Sequence, residues 1–294
     1  MDNFTRNRLD KVFNVTDIIT IFYMEISKEF KYDGERHDYW EMVYIDKGEV
    51  ICTAEENRFS LKSGEMTFHK PNEFHNLSGN GDVAPNVSII SFMCKSAAMN
   101  SFEGKIFKLS AEEKGLLSML FEEGLSCYRL EKENDPFSAL QEKKEDAPFG
   151  GKQVTKNLLE VFLVRLCRHT DTVSKKARES IVYDGVDIPL SVKEIIDYLK
   201  DNLYARVTVG SVARALGKSE STVKQLFSLY RKDGIKKYYN SLKIKEAKKL
   251  LRGGRYNITQ ISEMLCFDNP QYFSKCFKLH TKMTPSEYKA SIMG

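Results

Sequence analysis

Residues 257–289, NITQISEMLCFDNPQYFSKCFKLHTKMTPSEYK, read as two short helices joined by a tight turn, with a third helix starting straight after. Asn257 stands at a capping position with Gln260 three residues on, the capping-box pattern. Asn269 caps the second helix, and Pro270 falls at its first helical position, where a missing N–H costs nothing. In that helix Phe273, Cys276 and Phe277 share one face, while Gln271, Ser274, Lys275 and Lys278 share the other at i, i+3, i+4 and i+7. An aromatic back with a polar, basic front suits the DNA major groove; an ordinary amphipathic surface helix is the plain alternative.

The pattern occurs a second time. In 207–234, VTVGSVARALGKSESTVKQLFSLYRKDG, Val209, Val212 and Leu216 match Ile258, Ile261 and Leu265 at an offset of 49. Val223, Leu226 and Phe227 match Phe273, Cys276 and Phe277 at an offset of 50, one extra turn residue. Ser221, Lys224, Gln225 and Ser228 then face outward at the same spacing as their downstream counterparts. Between the copies, 235–251 reads as a helix with Tyr238, Leu242, Ala247 and Leu250 on its apolar side. At about 1.5 Å per residue it spans roughly 25 Å, so two reading helices would sit about one DNA turn, roughly 34 Å, apart.

Charge divides the chain in the same place. Residues 189–294 carry 20 Lys+Arg against 9 Asp+Glu, whereas 1–188 carry 25 against 32. A basic C-terminal third on an acidic body points to one domain that meets a polyanion and one that does not. At 294 residues the chain is long enough for two cores. The polar start MDNFTRNRLDKVF lacks a signal-peptide run, and no segment approaches the roughly 20 apolar residues of a membrane span. Six scattered cysteines (52, 94, 127, 167, 266, 276) without a Cys-x-x-Cys pair argue against a disulfide framework or a zinc ribbon. These features predict a cytoplasmic protein with no membrane partner.

The segments 19–26, 39–46, 49–56, 58–71 and 86–93 are short, rich in β-branched and aromatic residues, and separated by turn signals such as Asp46-Lys47-Gly48 and Glu56-Asn57. They predict an antiparallel sandwich or barrel, with 78–82 as a loop. A helix is expected from Ser110 to about Lys132, a charged loop over 131–151, and a second helix over 152–169. In the second helix, Val154, Leu158, Val161, Phe162, Arg165 and Leu166 form one stripe, widened by Leu159, Leu163 and Val164. Homodimer contact and packing on the barrel both account for that surface. Residues 170–189 are polar, carry KKAR and lack periodicity, as a linker would.

Over about 190–292 the chain resembles the AraC/XylS family of bacterial transcription regulators. The match rests on the first-copy helix, Gly234 with Tyr239, LKIKEAKKLL, ISEMLCFDNPQYFSKCFK and TPSEYK. The resemblance implies two helix-turn-helix motifs entering adjacent major-groove segments of double-stranded DNA. Carried over by position, the base-facing residues are Ser221, Lys224 and Gln225, then Gln271, Ser274 and Lys275, with Ser228 and Lys278 beside them and helix N-termini at Ser219 and Asn269 for phosphates. Three positions depart from the family pattern: Cys266 and Lys282 stand where it has glycine, and Ser262 where it has alanine.

The acidic body resembles a cupin of the sensor type over roughly 20–95. Cupins carry His-x-His-x₃-Glu-x₆-Gly, and His37, Glu41 and Gly48 fall in register, with Glu35 at the first histidine's place. Gly64 and His75 keep the eleven-residue distance of the second cupin element, while its proline is displaced to Pro71. Strand alternation puts Glu35, His37, Tyr39, Glu41 and Val43 on the inward face, with Trp40 and Met42 outside under a helix. The expected site is a small-effector pocket of Glu35, His37, Tyr39, Glu41 and His75, with no cofactor; a metal on Glu35, His37, Glu41 and His75 is the alternative, since regulators of this type keep the barrel with an eroded triad. His69, His169 and His280 need no role.

The expected architecture is therefore α+β and multidomain. A cupin-like antiparallel β-barrel (1–109) is followed by a helical dimerisation region (110–172), a linker (173–188) and an all-α domain with two helix-turn-helix motifs (189–294). The expected function is a dimeric, ligand-responsive activator that recruits RNA polymerase, with sugars as the effector class the resemblance implies. A metal-dependent cupin enzyme with an appended DNA-binding domain is the competing class.

Overall fold

Strand after strand in the N-terminal half is short and flanked by turn residues, and the structure, a computed structural model, pairs most of them into two sheets, with β-ribbons of two strands beside them. It describes residues 5–132, 139–143, 146–169, 172–175 and 180–293. The chain divides into two compact units, Met1–Asp187 and Ile188–Gly294.

In the first unit the strands are β1 (Val15–Glu25), β2 (Trp40–Lys47), β3 (Glu49–Ala54), β4 (Asn57–Lys62), β5 (Glu65–His69), β6 (His75–Gly79) and β7 (Asn86–Cys94). A 3-10 turn, Ala97–Phe102, leads to β8 (Lys105–Lys108), then to α1 (Ala111–Cys127), β9 (Tyr128–Leu130), β10 (Leu140–Glu142) and α2 (Gly151–Cys167). The short β11 (Thr172–Ser174) and β12 (Ser180–Tyr183) follow, and β13 (Val186–Pro189) leads into the second unit. One antiparallel sheet has the order β1-β7-β2-β5-β8-β11, and a second has the order β4-β3-β6.

Neither sheet closes on itself, which corrects the expected barrel. The return from β1 passes β6 as a non-strand segment that touches it through isolated bridges at Lys31↔Ser78 and Glu35↔His75. Gly34 makes that approach possible: at φ 103 it lies so close that a Cβ would stand 2.5 Å from the Phe74 ring and 2.8 Å from the His75 carbonyl.

Both faces of the six-stranded sheet are covered, so β2 reads as a nearly continuous apolar run. Val43 and Ile45 point to the second sheet, where they join Cys52, Phe59 and Leu61 in one core. Trp40, Met42 and Tyr44 point the other way, onto Leu117 and Leu120 of α1 and Leu159 and Phe162 of α2. The inward face of α2 is Thr155, Leu159, Phe162, Leu163 and Leu166. The predicted stripe is thereby rotated: Val154 and Val161 are exposed, at 42% and 47%.

Residues expected as loop or linker are built in. Lys175 is buried and donates to the Phe68 carbonyl at 2.7 Å, Ser60 donates to the Ser180 carbonyl at 2.9 Å, and the Val182 N–H meets Glu49 at 3.1 Å. Parts of the predicted loop and linker, 133–138, 144–145, 170–171 and 176–179, lie outside the described residues.

The second unit is helical: α3 (Leu190–Asp201), α4 (Val209–Ala215), α5 (Glu220–Tyr230), α6 (Gly234–Gly253), α7 (Ile258–Met264), α8 (Pro270–Thr281) and α9 (Pro285–Met293). The helix starts at Ser219, Asn257 and Asn269 are those the sequence announces, and Thr208 adds a further cap. Thr208 with Ser211 and Asn257 with Gln260 form complete capping boxes, while Ser219 and Asn269 accept from the N–H groups of Thr222 and Tyr272. Ile244, Ala247 and Leu251 of α6 close a core over Ile261, Leu265, Phe273 and Phe277. Cys266 and Lys282 adopt φ 48 and 67, left-handed values that glycine takes without strain, so the turns keep their shape despite the substitutions. Gly217, the copy-one counterpart of Cys266, sits at φ 59.

Candidate effector pocket and DNA interface

The two turn-helix pairs present matched polar faces. On α5, Val223 and Phe227 are buried while Ser221, Lys224, Gln225 and Ser228 are exposed. On α8, Phe273, Cys276 and Phe277 are buried while Gln271, Lys275 and Lys278 are exposed and Ser274 is half-buried. Lys224 lies 3.8 Å from Glu220 on its own helix, a pairing that solvent screens. The Ser228 hydroxyl donates back to the Gln225 carbonyl at 2.6 Å, so its donor is engaged within the helix. Ser219 and Asn269 use their side-chain oxygens as caps, leaving other first-turn N–H groups of α5 and α8 as the anion-facing donors.

Behind these faces α6 joins the copies. The Tyr239 hydroxyl lies 2.6 Å and 2.9 Å from the carbonyls of Asn202 and Ala205. Next to it, buried Lys243 stands 4.5 Å from the Tyr239 ring centroid and donates to the Cys266 carbonyl at 3.3 Å. Burial pulls the Lys243 ammonium below its ordinary pKa, against a weaker upward pull from Cys266 and Asp268. One strained turn of copy two is thus pinned from the helix that also carries copy one.

The first unit holds a cavity of about 310 Å³ between its sheets. One wall is apolar, with Phe22, Met24, Phe30, Val87 and Ile89 among its lining; the opposite end gathers Glu35, Tyr39, Glu41, His69 and His75. Of the sequence-predicted residues, Glu35, His37, Glu41 and His75 converge so closely that one ligand atom from each lies within 4.8 Å of the rest. Tyr39 stacks on His37 with centroids 3.8 Å apart and planes at 9°. Glu35, His37 and Tyr39 reach this end from the segment ahead of β2, so backbone bridges and not strand alternation place them.

Backbone carbonyls orient both imidazoles. His37 Nδ1 lies 3.1 Å from the Tyr39 carbonyl and His75 Nδ1 lies 3.0 Å from the Glu73 carbonyl. Because a carbonyl only accepts, each Nδ1 donates a proton, and each Nε2 is left to face the cluster. Both Nε2 atoms are buried with no hydrogen bond; Glu41 approaches them at 3.8 Å and 3.5 Å. Burial works to raise the Glu41 carboxyl, but His37 and His75, with charge on His75 and His69, reverse this and hold it far below the carboxylate range. For His75 burial pulls downward, and Glu41 outweighs it, so the imidazole is held above its ordinary value.

Two site residues escape a sequence reading. His69 is buried, stacks on His75 at 4.3 Å, and pairs with Glu73 at 3.0 Å; burial pushes its pKa down to about 4. Ser91 donates to Glu41 at 3.2 Å. Both are cross-strand neighbours of Glu41, from β5 and β7. Register alone would have found them, and register is set by pairing.

With this geometry in hand, residues 17–93 match the family described as the AraC-like ligand binding domain, and 212–291 match the helix-turn-helix domain family. The uncharacterized regulator YisR of Bacillus subtilis is 24% identical over 87% of this chain and 89% of its own. The transcriptional activator RhaR of Yersinia pseudotuberculosis is 22% identical over 86% of this chain and 83% of its own. Among solved structures, fatty-acid-bound ToxT of Vibrio cholerae aligns over 94% of this chain and 96% of its own, with 15% identity and a TM-score of 0.33. No helix among the described residues is long and apolar enough to cross a membrane.

Proposed function

The chain, which joins an AraC-like ligand-binding domain to an AraC-type helix-turn-helix domain, is a transcription regulator of the AraC family, and from that premise we propose how its residues divide the work. The observation that carries the reading is the duplicated polar face. Two helices offer side chains at i, i+3, i+4 and i+7, each backed by its own buried apolar residues. Gln225 and Gln271 read adenine, Lys224 and Lys275 read guanine or hold phosphate, and Ser221 and Ser274 complete the base contacts. Ser219, Asn269 and Lys278 line the phosphate side.

The cavity between the sheets takes the effector. Among the described residues that line it there is no lysine or arginine, while carboxylates and tyrosines crowd one end and apolar side chains the other. That end suits a neutral or cationic molecule rich in hydroxyl or amine donors, such as a sugar with an apolar ring face. The exposed Val154 and Val161 on α2 form the contact of a homodimer, and effector binding shifts the DNA-bound arrangement of that dimer, activating polymerase at a nearby promoter. The protein acts by binding and not by turnover, in the cytoplasm.

Selection of bound genomic fragments, followed by footprinting, tests this. A defined site with two protected segments about one turn apart is expected. On that site Gln225→Ala and Gln271→Ala should each weaken binding by about 1–3 kcal/mol and relax one base position. Uniform weakening on every duplex, tracking salt alone, would refute base readout. Val161→Glu should lower the oligomeric state in sedimentation; an unchanged state removes that helix face from the dimer.

A further inference from the structure

The second unit holds a cavity of its own, about 330 Å³, opposite in charge to the one between the sheets. Its charged lining, among the described residues, is Arg206, Lys236, Lys243 and a single carboxylate, Asp268. Arg206 and Asp268 answer each other at the rim, 3.1 Å apart and both largely exposed. Lys236 is exposed, so solvent screens its charge. Lys243 has neither remedy. It is 3% exposed on the buried side of α6, and no carboxylate among the described residues pairs with it, Asp268 acting on it only through space.

An ammonium carries three N–H donors. One of those on Lys243 meets the Cys266 carbonyl at 3.3 Å, and the Tyr239 and Phe267 ring centroids lie 4.5 Å and 5.3 Å away. Two rings and one carbonyl stabilise a buried cation less than an anionic oxygen does. Tyr272 stands beside Phe267, with ring centroids 6.2 Å apart. Its hydroxyl accepts from Asn240 Nδ2 at 3.1 Å, and no acceptor among the described residues takes its proton. The same cavity therefore offers an uncompensated ammonium and an unused hydroxyl donor. Its wall includes Leu199, Val209, Ile235 and Phe267, a surface suited to an apolar body.

We propose that this cavity is a second small-molecule site, which holds an organic monocarboxylate through Lys243 and Tyr272 and rests its apolar body on Ile235 and Phe267. One buried ammonium neutralises one charge, so a monocarboxylate fits better than a phosphate monoester, which brings about 1.5–2 charges. A backbone phosphate of DNA, flanked by its sugars, does not reach an ammonium this buried. The cavity also has walls from both copies. Residues 207–209 lead into α4 of copy one, Lys236, Tyr239 and Lys243 belong to α6, and residues 266–268 are the turn of copy two. A carboxylate seated there ties the two reading helices into one relative orientation and strengthens binding to a paired DNA site. That consequence rests on the DNA reading above, whereas the site itself does not.

The full-length protein is titrated by calorimetry with phenylacetate, with its neutral twin phenylacetamide, and with phenyl phosphate. Phenylacetate should bind about tenfold or more tightly than the amide, the difference that one charge-assisted hydrogen bond makes. Lys243→Met should remove that preference, and Tyr272→Phe should weaken the acid while leaving the amide unchanged. Because Lys243 also holds the Cys266 turn, a readout on the unmutated protein accompanies them. Cys266 lines the cavity and Cys167 is exposed on the other unit, so phenylacetate should slow alkylation of Cys266 and leave that of Cys167 as it was. Equal affinity for acid and amide, or Cys266 alkylation unchanged at saturating phenylacetate, overturns the site. Tighter binding of phenyl phosphate overturns the monocarboxylate assignment, and displacement of phenylacetate by duplex DNA shows a backbone phosphate in its place. Phenylacetate should strengthen binding to the selected paired site severalfold and leave a single half-site unaffected. No change on the paired site while Cys266 is protected overturns the coupling alone. Loss of sequence preference in protein without phenylacetate sinks the DNA reading and leaves the site standing.

Discussion

Replacing Phe273 by alanine separates the two halves of the DNA-binding unit. Phe273 is fully buried at the centre of a small core in which α6, α7 and α8 meet. Its ring lies 5.1 Å from Phe267 and 5.8 Å from Phe277, so both lose an aromatic partner. Buried Phe→Ala changes remove about 3–5 kcal/mol through lost transfer energy and a residual cavity. A loss near 4 kcal/mol lowers the ratio of folded to unfolded copy two about a thousandfold, against a typical domain stability of about 5–15 kcal/mol. Copy one rests on different residues: Val223 and Phe227 of α5 are buried, with Phe227 5.3 Å from Tyr238. Hydrogen exchange should therefore rise across α7 and α8 well before α4 and α5, and footprinting should show the second half-site lost while the first persists. A loss of protection shared equally by both copies, or a stability change below about 1 kcal/mol, would refute the claim that the copies have separable cores.

The remaining predictions follow from single groups. Cys266→Gly and Lys282→Gly should each raise the thermal midpoint, because left-handed φ values of 48 and 67 strain a side-chain-bearing residue by about 1–2 kcal/mol, offset in part by Gly's greater unfolded-state entropy and, at Cys266, by loss of its contact to the Tyr204 carbonyl. Ser262 is buried with an unpartnered hydroxyl, so Ser262→Ala should be neutral or stabilising by up to about 1 kcal/mol in urea unfolding. At Glu113 burial works to raise the carboxyl, yet the Ser110 capping bonds and His169 outweigh it and hold the pKa low. Its contribution is thus present above the unfolded value of about 4.3 and fades as pH falls through the lower folded value; Glu113→Gln should flatten stability over that range in acid titration.

Much of the second unit was legible because its determinants are local. Helix periodicity, the Ser219, Asn257 and Asn269 caps, and Pro270 at the first helical position act within a few residues, so α4, α5, α7 and α8 stand where the pattern puts them. The repeat then carried the resemblance, and the charge asymmetry marked the same boundary. Even the substituted turn obeyed local geometry, since Cys266 adopts the conformation of Gly217.

The first unit shows where that reach ends. β6, β8 and β11 are three to five residues long, and cross-strand partners distant in sequence hold them, so no pattern within them announced a strand. The buried face of α2 was settled by the sheet it packs on and not by the width of its apolar stripe. Glu35, His37, Glu41 and His75 were visible as a spacing, but their convergence depends on a backbone bridge between the segment before β2 and β6. His69 and Ser91 entered only through register, opposite Glu41. By itself the sequence determined which helices of the second unit form and which faces α5 and α8 show, because capping and periodicity are short-range. The tertiary structure decided that the sheets stay open and that two imidazole nitrogens point, unpartnered, at a buried carboxylate, because those outcomes depend on pairings between residues far apart along the chain.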